Sequence, residues 1–214
     1  NDTTYPTSMP IDIPSGEPVT YSKSTIAGVT GCLKNEGIYR KAESVTGVSW
    51  NVLLSIHYME GNCNSNQSLV SGREIGTVEP DVGKDCSSSD SGLGKPYPYK
   101  GGCAFRNLLD TAVYGGNHLK GKFGGKIPQS VEDLAYALGR YNGLGNRNCG
   151  KTPYSGCPPA FDNDDHIYVT SKLDTKHAKM YLRFCADYTP CKPPKEFERI
   201  GALTVIKILT SQGL

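Results

Sequence analysis

Residues 49–62 have the sequence SWNVLLSIHYMEGN, and this stretch predicts the helix on which the fold depends. Ser49 is a favourable N-cap for a helix that begins at Trp50, because its hydroxyl can accept a hydrogen bond from a free backbone N–H of the first turn. At the other end, Gly61 and Asn62 are residue types that terminate helices. The stretch therefore predicts one helix that starts at Trp50 and ends about Gly61.

A glutamate ends the apolar stripe of this helix. Leu53, Ile56 and Glu60 recur at i, i+3 and i+7. A helix-end glutamate is commonly an exposed charge without a chemical role. Partial burial on the stripe instead favours the neutral carboxyl, which can donate a proton near neutral pH. Glu60 is therefore a candidate catalytic acid, and His57, one turn earlier, is either a packing residue or its hydrogen-bond partner.

Apolar spacing in the rest of the chain predicts further helices and very little sheet, which gives a mainly α fold of the α+β type. Ser130 and Asp133 form a capping box at the start of one helix. The sequence between 72 and 102 is rich in Gly, Ser and Pro, and it predicts loops with a small β-hairpin around 74–82. Besides 50–60, helices are predicted at 32–45, 104–119, 131–141, 165–173 and 175–186, and 197–209 is a last helix or strand.

The N-terminal part of the chain differs in composition from the rest. Four prolines, spaced every four residues from Pro6 to Pro18, disfavour helix, so 1–28 is predicted to be an extended arm or linker. Residues 29–214 are enough for one medium-sized domain with its own core. No apolar signal region follows Asn1, and we expect an export signal that was removed or that is not part of this sequence.

The eight cysteines form an even set and lie mostly in segments rich in Gly, Pro, Ser and Asn. No C-x-x-C pair occurs, and the four histidines lack the paired spacing of structural zinc sites, so disulfides are favoured over metal binding. Disulfides persist outside the reducing cytosol, which predicts a secreted or cell-envelope protein. Proximity along the chain favours the pairs Cys149 with Cys157 and Cys185 with Cys191.

Charge and hydropathy argue against two classes of partner. The formal net charge is +2 with both signs mixed along the chain, so no strong field favours nucleic acid. The apolar run 202–209 is interrupted by Lys207 and is far too short to cross a bilayer. Residues 145–152 match the P-loop pattern, but they follow a predicted helix and run into Pro153, whereas a phosphate-binding loop follows a strand and opens a helix. We expect neither nucleotide binding nor membrane insertion.

Four segments together resemble soluble lytic transglycosylases and goose-type lysozymes. Residues 45–60 look like the catalytic helix of that superfamily, and 68–76 is similar to the serine- and glycine-rich turn that follows it. Residues 137–145 match a later Tyr-Asn segment, and Tyr168-Val169 matches the final element. The resemblance implies a lysozyme-like helical domain with a small β-hairpin region and long disulfide-stapled loops.

The resemblance also implies a reaction, which is cleavage of the β-1,4 bond between N-acetylmuramic acid and N-acetylglucosamine in peptidoglycan. Glu60 would protonate the departing oxygen, and a monomer acting on glycan strands without cofactor or metal is expected. An inverting hydrolase needs a second carboxylate across the sugar, for which Glu74 and Asp81 rank ahead of Glu79. A lytic transglycosylase needs none, because a hydroxyl of the substrate attacks.

Substrate-binding residues follow from the same resemblance. Ser71 in the turn, Tyr141 and Asn142 at the end of the later helix, and Tyr168 are expected to bind or orient the sugar. The chain departs from the family at Gly61, where serine is usual. Two other functions stay open: a chitinase or chitosanase of the lysozyme superfamily, and a noncatalytic wall-binding module whose tyrosines stack on sugars.

Overall fold

The computed structural model describes residues 23–82, 86–87, 92–130, 133–134, 137–138, 141 and 202–213. This part of the chain is mostly helical with one small antiparallel sheet, so the mainly α class is confirmed. Ala27–His118 forms one compact unit, and the described residues from Leu119 onward belong to a second. The region predicted as one domain, 29–214, thus comprises parts of two units.

The described chain begins with helix α1, Lys23–Thr30, and continues through a 3₁₀ turn, Gly31–Asn35, into helix α2, Glu36–Thr46. Residues 23–28 are therefore helical, although the sequence predicts an extended arm over 1–28. The arm prediction rests on the prolines, and none follows Pro18 before the end of α1. Without a proline, the backbone N–H groups needed for helix are all present from Lys23 onward.

Helix α3, Trp50–Gly61, packs against α2 and is buried on nearly all sides. Its N-cap is Ser49 and its C-cap is Asn62, which confirms both predicted ends, but the Ser49 hydroxyl donates to Asn51 Oδ1 at 2.7 Å instead of accepting a backbone N–H. All of the residues 52–57 are buried, so the helix presents more than the single apolar stripe that the sequence predicts. The polar member Ser55 donates its hydroxyl to the Val52 carbonyl at 2.7 Å, which removes the cost of burying it.

The sheet is a hairpin of strands β1, Tyr97–Tyr99, and β2, Gly102–Ala104. Its turn consists of Lys100 and Gly101 with φ values of 45° and 78°, the left-handed pair of a type I′ turn. Pro98 lies opposite Cys103 in this two-stranded ribbon. Among the described residues no strand pairs with the outer edge of β1, so a missing N–H is tolerated there. That tolerance is why a proline-containing segment forms a strand here.

The hairpin that the sequence predicts around 74–82 is wrong in position. Glu74 forms a single isolated bridge with Gln67, and Pro80–Val82 is a 3₁₀ turn. The segment does not fold on itself because residues 103–105 use its backbone donors.

Two backbone hydrogen bonds place this segment alongside β2. Gly76 N–H donates to the Phe105 carbonyl at 3.1 Å, and Glu79 N–H donates to the Cys103 carbonyl at 2.7 Å. The extended pattern predicted from the sequence over 74–82 therefore corresponds to hydrogen bonding with residues 103–105. The pairing partner is a distant segment that local patterns do not identify.

Two disulfides are present in the described residues, Cys32–Cys63 and Cys86–Cys103. They confirm the prediction of disulfide bonding and fit an oxidising environment outside the cytosol. The favoured pairs Cys149 with Cys157 and Cys185 with Cys191 lie outside the described residues.

Helix α4, Leu108–Lys122, begins later than the predicted start at Ala104, because that residue belongs to β2. Asn107 caps the helix by accepting the Asp110 N–H at 2.9 Å, and its own amide donates to the Asp110 carboxylate at 3.2 Å. The buried Asp110 also accepts the Gly94 N–H at 3.0 Å. Asp110 is therefore a structural carboxylate that fixes the chain ahead of β1.

In the second unit, Asp133 N–H donates to Ser130 Oγ at 3.1 Å, which is one of the two hydrogen bonds of the predicted capping box. The C-terminal segment is a helix, α5, Ala202–Ser211, which decides between the helix and strand that the sequence leaves open. Across the residues described, none of the helices combines the length and the apolarity needed to cross a membrane.

Candidate active site

Glu60 is the last residue but one of α3 and is half-buried. The chain leaves the helix through two left-handed residues, Asn62 with φ 47° and Cys63 with φ 56°. Their N–H groups donate to the Tyr58 carbonyl at 3.1 Å and to the His57 carbonyl at 3.2 Å. These bonds satisfy carbonyls of the last turn, so the backbone around Glu60 is fixed by its own helix cap.

The 3₁₀ turn ahead of α2 holds the same helix end. Asn35 is buried and donates from Nδ2 to the Cys63 carbonyl at 2.9 Å, while its Oδ1 accepts the Ser65 hydroxyl at 2.8 Å. The Cys32–Cys63 disulfide joins the two segments covalently. Three residues beyond Glu60, the chain is therefore tied to residues 31–35.

His57 is completely buried and has a partner for each ring nitrogen. Its Nε2 lies 3.1 Å from both the Asn64 and the Gln67 carbonyl oxygens. Carbonyl oxygens only accept, so the ring proton is on Nε2, and Nδ1 accepts the Tyr39 hydroxyl at 2.7 Å. His57 therefore connects α2, α3 and the following loop, and both nitrogens are used without Glu60.

Burial lowers the pKa of His57 from 6.5 to about 4. Below pH 6.5 the unfolded chain takes up a proton that the folded chain refuses until about pH 4, so the free energy of unfolding falls as the pH falls across this window. The expected loss is about 3 kcal/mol, at about 1.4 kcal/mol per pKa unit. Urea unfolding at a series of pH values between about 7 and about 4 measures it.

The matched variant is His57→Gln, whose amide offers a donor and an acceptor but does not titrate. We expect it to be less stable than the parent at neutral pH and to lose this part of the pH dependence. A slope as steep as that of the parent would show that other groups carry the acid sensitivity.

Residues 66–76 form a loop that folds back over the end of α3, and we call it the 66–76 loop. Leu69 is fully buried in it, and its N–H donates to Thr111 Oγ1 of α4 at 3.3 Å. The loop is closed by three backbone hydrogen bonds: Ser68 N–H to Arg73 O at 2.7 Å, Gly72 N–H to Ser68 O at 2.8 Å, and Ile75 N–H to Asn66 O at 2.8 Å. These bonds pair backbone groups within the loop, and the bond to Thr111 anchors the loop to α4.

Gly72 brings this loop onto Glu60. It has φ +70°, and a β-carbon there would collide with the Glu60 carbonyl oxygen and lie 2.9 Å from the carbonyl carbon. Only glycine meets both requirements, the left-handed backbone and the close approach. Ser71, the predicted sugar-binding residue, is half-buried beside Gly72 and accepts the Arg73 N–H at 3.4 Å.

Gly61 is also covered by the 66–76 loop. A β-carbon at Gly61 would lie 3.0 Å from Gln67 Cβ and 3.1 Å from Gln67 Oε1. The glycine that departs from the family pattern thus has a local reason, because a side chain at this position would displace Gln67. Gln67 in turn supplies one of the two carbonyls that His57 binds.

The three candidate second carboxylates differ in exposure. Glu74 and Asp81 are exposed, whereas Glu79 is only 3% exposed and its Oε1 has no hydrogen-bond partner in the described structure. Burial and the charges of Glu79 and Asp81 raise the pKa of Tyr114, which places that phenol in the field of both carboxylates. A base that activates water has to reach water, and Glu74 and Asp81 meet this requirement.

Of the other predicted substrate residues, only Tyr141 is among those the structure describes. Tyr141 is buried and helical in the second unit, while Asn142 and Tyr168 lie outside the described residues. Sequence reasoning missed the supporting roles of Tyr39, Asn35 and Thr111. Each acts through a contact between distant segments, and no local pattern signals such a contact.

No protein-family model, no characterised protein and no solved structure matches this chain. Within the described residues, no group of three or more His, Cys, Asp or Glu side chains is placed to hold a metal ion.

Proposed function

We propose that this chain is a peptidoglycan-cleaving glycosidase in which Glu60 is the general acid. The contact of Gly72 with the Glu60 carbonyl carries the proposal. Two of the four segments that resemble lytic transglycosylases and goose-type lysozymes are the catalytic helix and the serine-glycine turn that follows it. In this chain those two segments, 45–60 and 68–76, meet at Glu60, as the parts of one active site have to.

The position of Glu60 suits a proton donor. A general acid has to stay within hydrogen-bonding reach of the departing oxygen, which requires a backbone that does not drift. The helix cap, the Cys32–Cys63 disulfide and the 66–76 loop all fix the backbone around Glu60.

In the first step Glu60 gives its proton to the glycosidic oxygen as the bond to the muramic acid carbon breaks. Two endings follow from this step. In a transglycosylase the Glu60 carboxylate takes the proton of a muramic acid hydroxyl, which attacks and closes an anhydro ring. In an inverting hydrolase a second carboxylate activates water, and Glu74 and Asp81 are the exposed candidates.

Mass spectrometry of a digest of purified peptidoglycan tests the proposal and separates the two endings. Anhydro-muramyl ends identify a lytic transglycosylase, and reducing ends identify a hydrolase. Both products support cleavage of the bond between N-acetylmuramic acid and N-acetylglucosamine. An undigested wall with active chitin-oligomer hydrolysis would instead establish a chitinase, and no cleavage of either substrate would refute the enzyme assignment.

The proposal includes the cellular setting of the substrate. Peptidoglycan lies outside the cytosol, and the two disulfides fit the same compartment. We therefore assign the protein to the cell envelope or the secreted fraction, acting as a monomer on glycan strands without a cofactor.

A further inference from the structure

The β1–β2 hairpin carries two tyrosines on one face. Tyr97 and Tyr99 are two positions apart on a strand, so their side chains leave the same side of the ribbon, and both are half-exposed. Their ring centroids are 6.1 Å apart and their planes are inclined by 67°. The hairpin therefore presents two differently oriented aromatic rings at the surface of the first unit.

Cations flank both rings. The Arg106 guanidinium carbon lies 5.0 Å from the centroid of Tyr97, and Lys100 Nζ lies 5.1 Å from that of Tyr99. Residues 92–107 contain three basic residues and no acidic residue, and all three basic side chains are exposed. The hairpin itself is thus basic and aromatic, and the acidic residues Glu79 and Asp81 lie on the segment 74–82 that runs alongside β2.

Val78 extends the same face. Tyr99 pairs with Gly102 across the hairpin, so the two side-chain positions share one face of the ribbon. Gly102 has no side chain, and a β-carbon there would lie 2.6 Å from Val78 Cγ1, so Val78 occupies that place. Val78 nevertheless stays 37% exposed. The Cys86–Cys103 disulfide anchors β2, which holds the surface in shape.

We infer that this surface, formed by Val78, Tyr97, Tyr99, Lys100 and Arg106, binds the anionic glycan strand of peptidoglycan in addition to the cleavage at Glu60. The choice of ligand rests on the proposed function. Sugar rings have apolar C–H faces that pack on aromatic rings, and the carboxylates of muramic acid and the stem peptides pair with lysine and arginine. A low overall charge disfavours a polyphosphate ligand, for which a broad basic field is typical.

Cosedimentation with purified, insoluble peptidoglycan sacculi tests this inference. All chains carry Glu60→Gln so that the ligand is not digested during the assay. The double variant Tyr97→Thr/Tyr99→Thr removes both rings but keeps β-branched residues that suit a strand. We expect it to bind about tenfold more weakly, the factor that corresponds to a loss of about 1.4 kcal/mol. The double variant Tyr97→Phe/Tyr99→Phe keeps both rings and is expected to bind like its parent.

Lys100→Asn tests the charge, because asparagine tolerates the left-handed backbone at this turn position. We expect it to weaken binding to sacculi about threefold at low salt and to leave binding to neutral chitin unchanged. Lys41→Gln and Val45→Ala replace an exposed cation and an exposed apolar side chain on α2, and both are expected to bind like the parent.

Normal sacculus binding by a folded Tyr97→Thr/Tyr99→Thr chain would overturn the inference, as would equal weakening by the two α2 controls. The inference would also be overturned if the parent chain bound phosphatidylglycerol vesicles or single-stranded DNA but did not sediment with sacculi. The outcome is separable from the proposed function. Cleavage without hairpin-dependent binding refutes the surface alone, and hairpin-dependent binding without cleavage refutes the role of Glu60 alone.

Discussion

Glu60→Gln is expected to lower the rate of peptidoglycan cleavage by about 10³-fold. A positioned general acid contributes on the order of 10²–10⁴ in rate, and an amide of the same size cannot donate its proton to a departing oxygen. Because glutamine keeps the length and shape of the side chain, the substrate should still bind. Release of soluble muropeptides from sacculi, together with cosedimentation at equal protein concentration, measures the two effects separately.

The matched control is Glu36→Gln, which makes the same chemical change at a partly exposed position on α2. Glu36 forms a surface ion pair with Arg40 at 2.6 Å, an interaction worth about 0.5 kcal/mol. The control should keep the parent rate and nearly the parent stability. A Glu60→Gln chain that digests sacculi as fast as the control would show that Glu60 is not the acid.

The position of α3 could be predicted from the sequence because its ends are encoded locally. A serine stands before the helix, and a glycine followed by a left-handed asparagine ends it, so each end is marked by a residue type that a local pattern reveals. The hydrogen bond from Asp133 N–H to the Ser130 hydroxyl was predictable for the same reason. Local chemistry also placed Glu60 at the helix end, and this is the part of the candidate site that the sequence could supply.

The position of the β-hairpin could not be predicted from local sequence patterns. Residues 74–82 have an extended pattern, but the donors of Gly76 and Glu79 are taken by residues 103–105. Strand pairing is a contact between distant segments, so its partner cannot be read from the alternation within one segment. Pro98 makes strand β1 hard to predict, because a proline argues against a strand unless the backbone on its side has no pairing partner.

The hydrogen-bond network of His57, next to Glu60, also could not be predicted from the sequence. The sequence indicates for His57 only a packing residue or a partner of Glu60, whereas its actual partners are Tyr39 on α2 and the carbonyls of Asn64 and Gln67 in the loop after α3. Fully satisfied polar networks of this kind specify one arrangement of the elements they join. The network therefore explains how the loop after α3 is positioned, which no spacing within the helix reveals.

Gly72→Ala is expected to lower the free energy of unfolding by about 3 kcal/mol and to reduce cleavage together with it. The first cost is a left-handed backbone at φ +70°, about 1–2 kcal/mol for a residue with a β-carbon. The second is the collision with the Glu60 carbonyl oxygen, which is backbone and cannot swing aside as a flexible side chain can. Relief of the collision has to move either the 66–76 loop or the end of α3.

Gly76→Ala is the control that separates these two costs. Gly76 lies in the same loop with φ +86°, but a β-carbon there meets nothing within 4 Å. We therefore expect Gly76→Ala to lose only the backbone part, about 1–2 kcal/mol, and to keep the parent rate when assayed well below its melting temperature. Urea unfolding and muropeptide release under the same conditions compare the two variants.

If both alanine variants lose stability equally and keep full activity, the contact of Gly72 does not position Glu60. A larger loss of rate than of folded fraction in Gly72→Ala alone would show that catalysis depends on where this loop holds the Glu60 backbone.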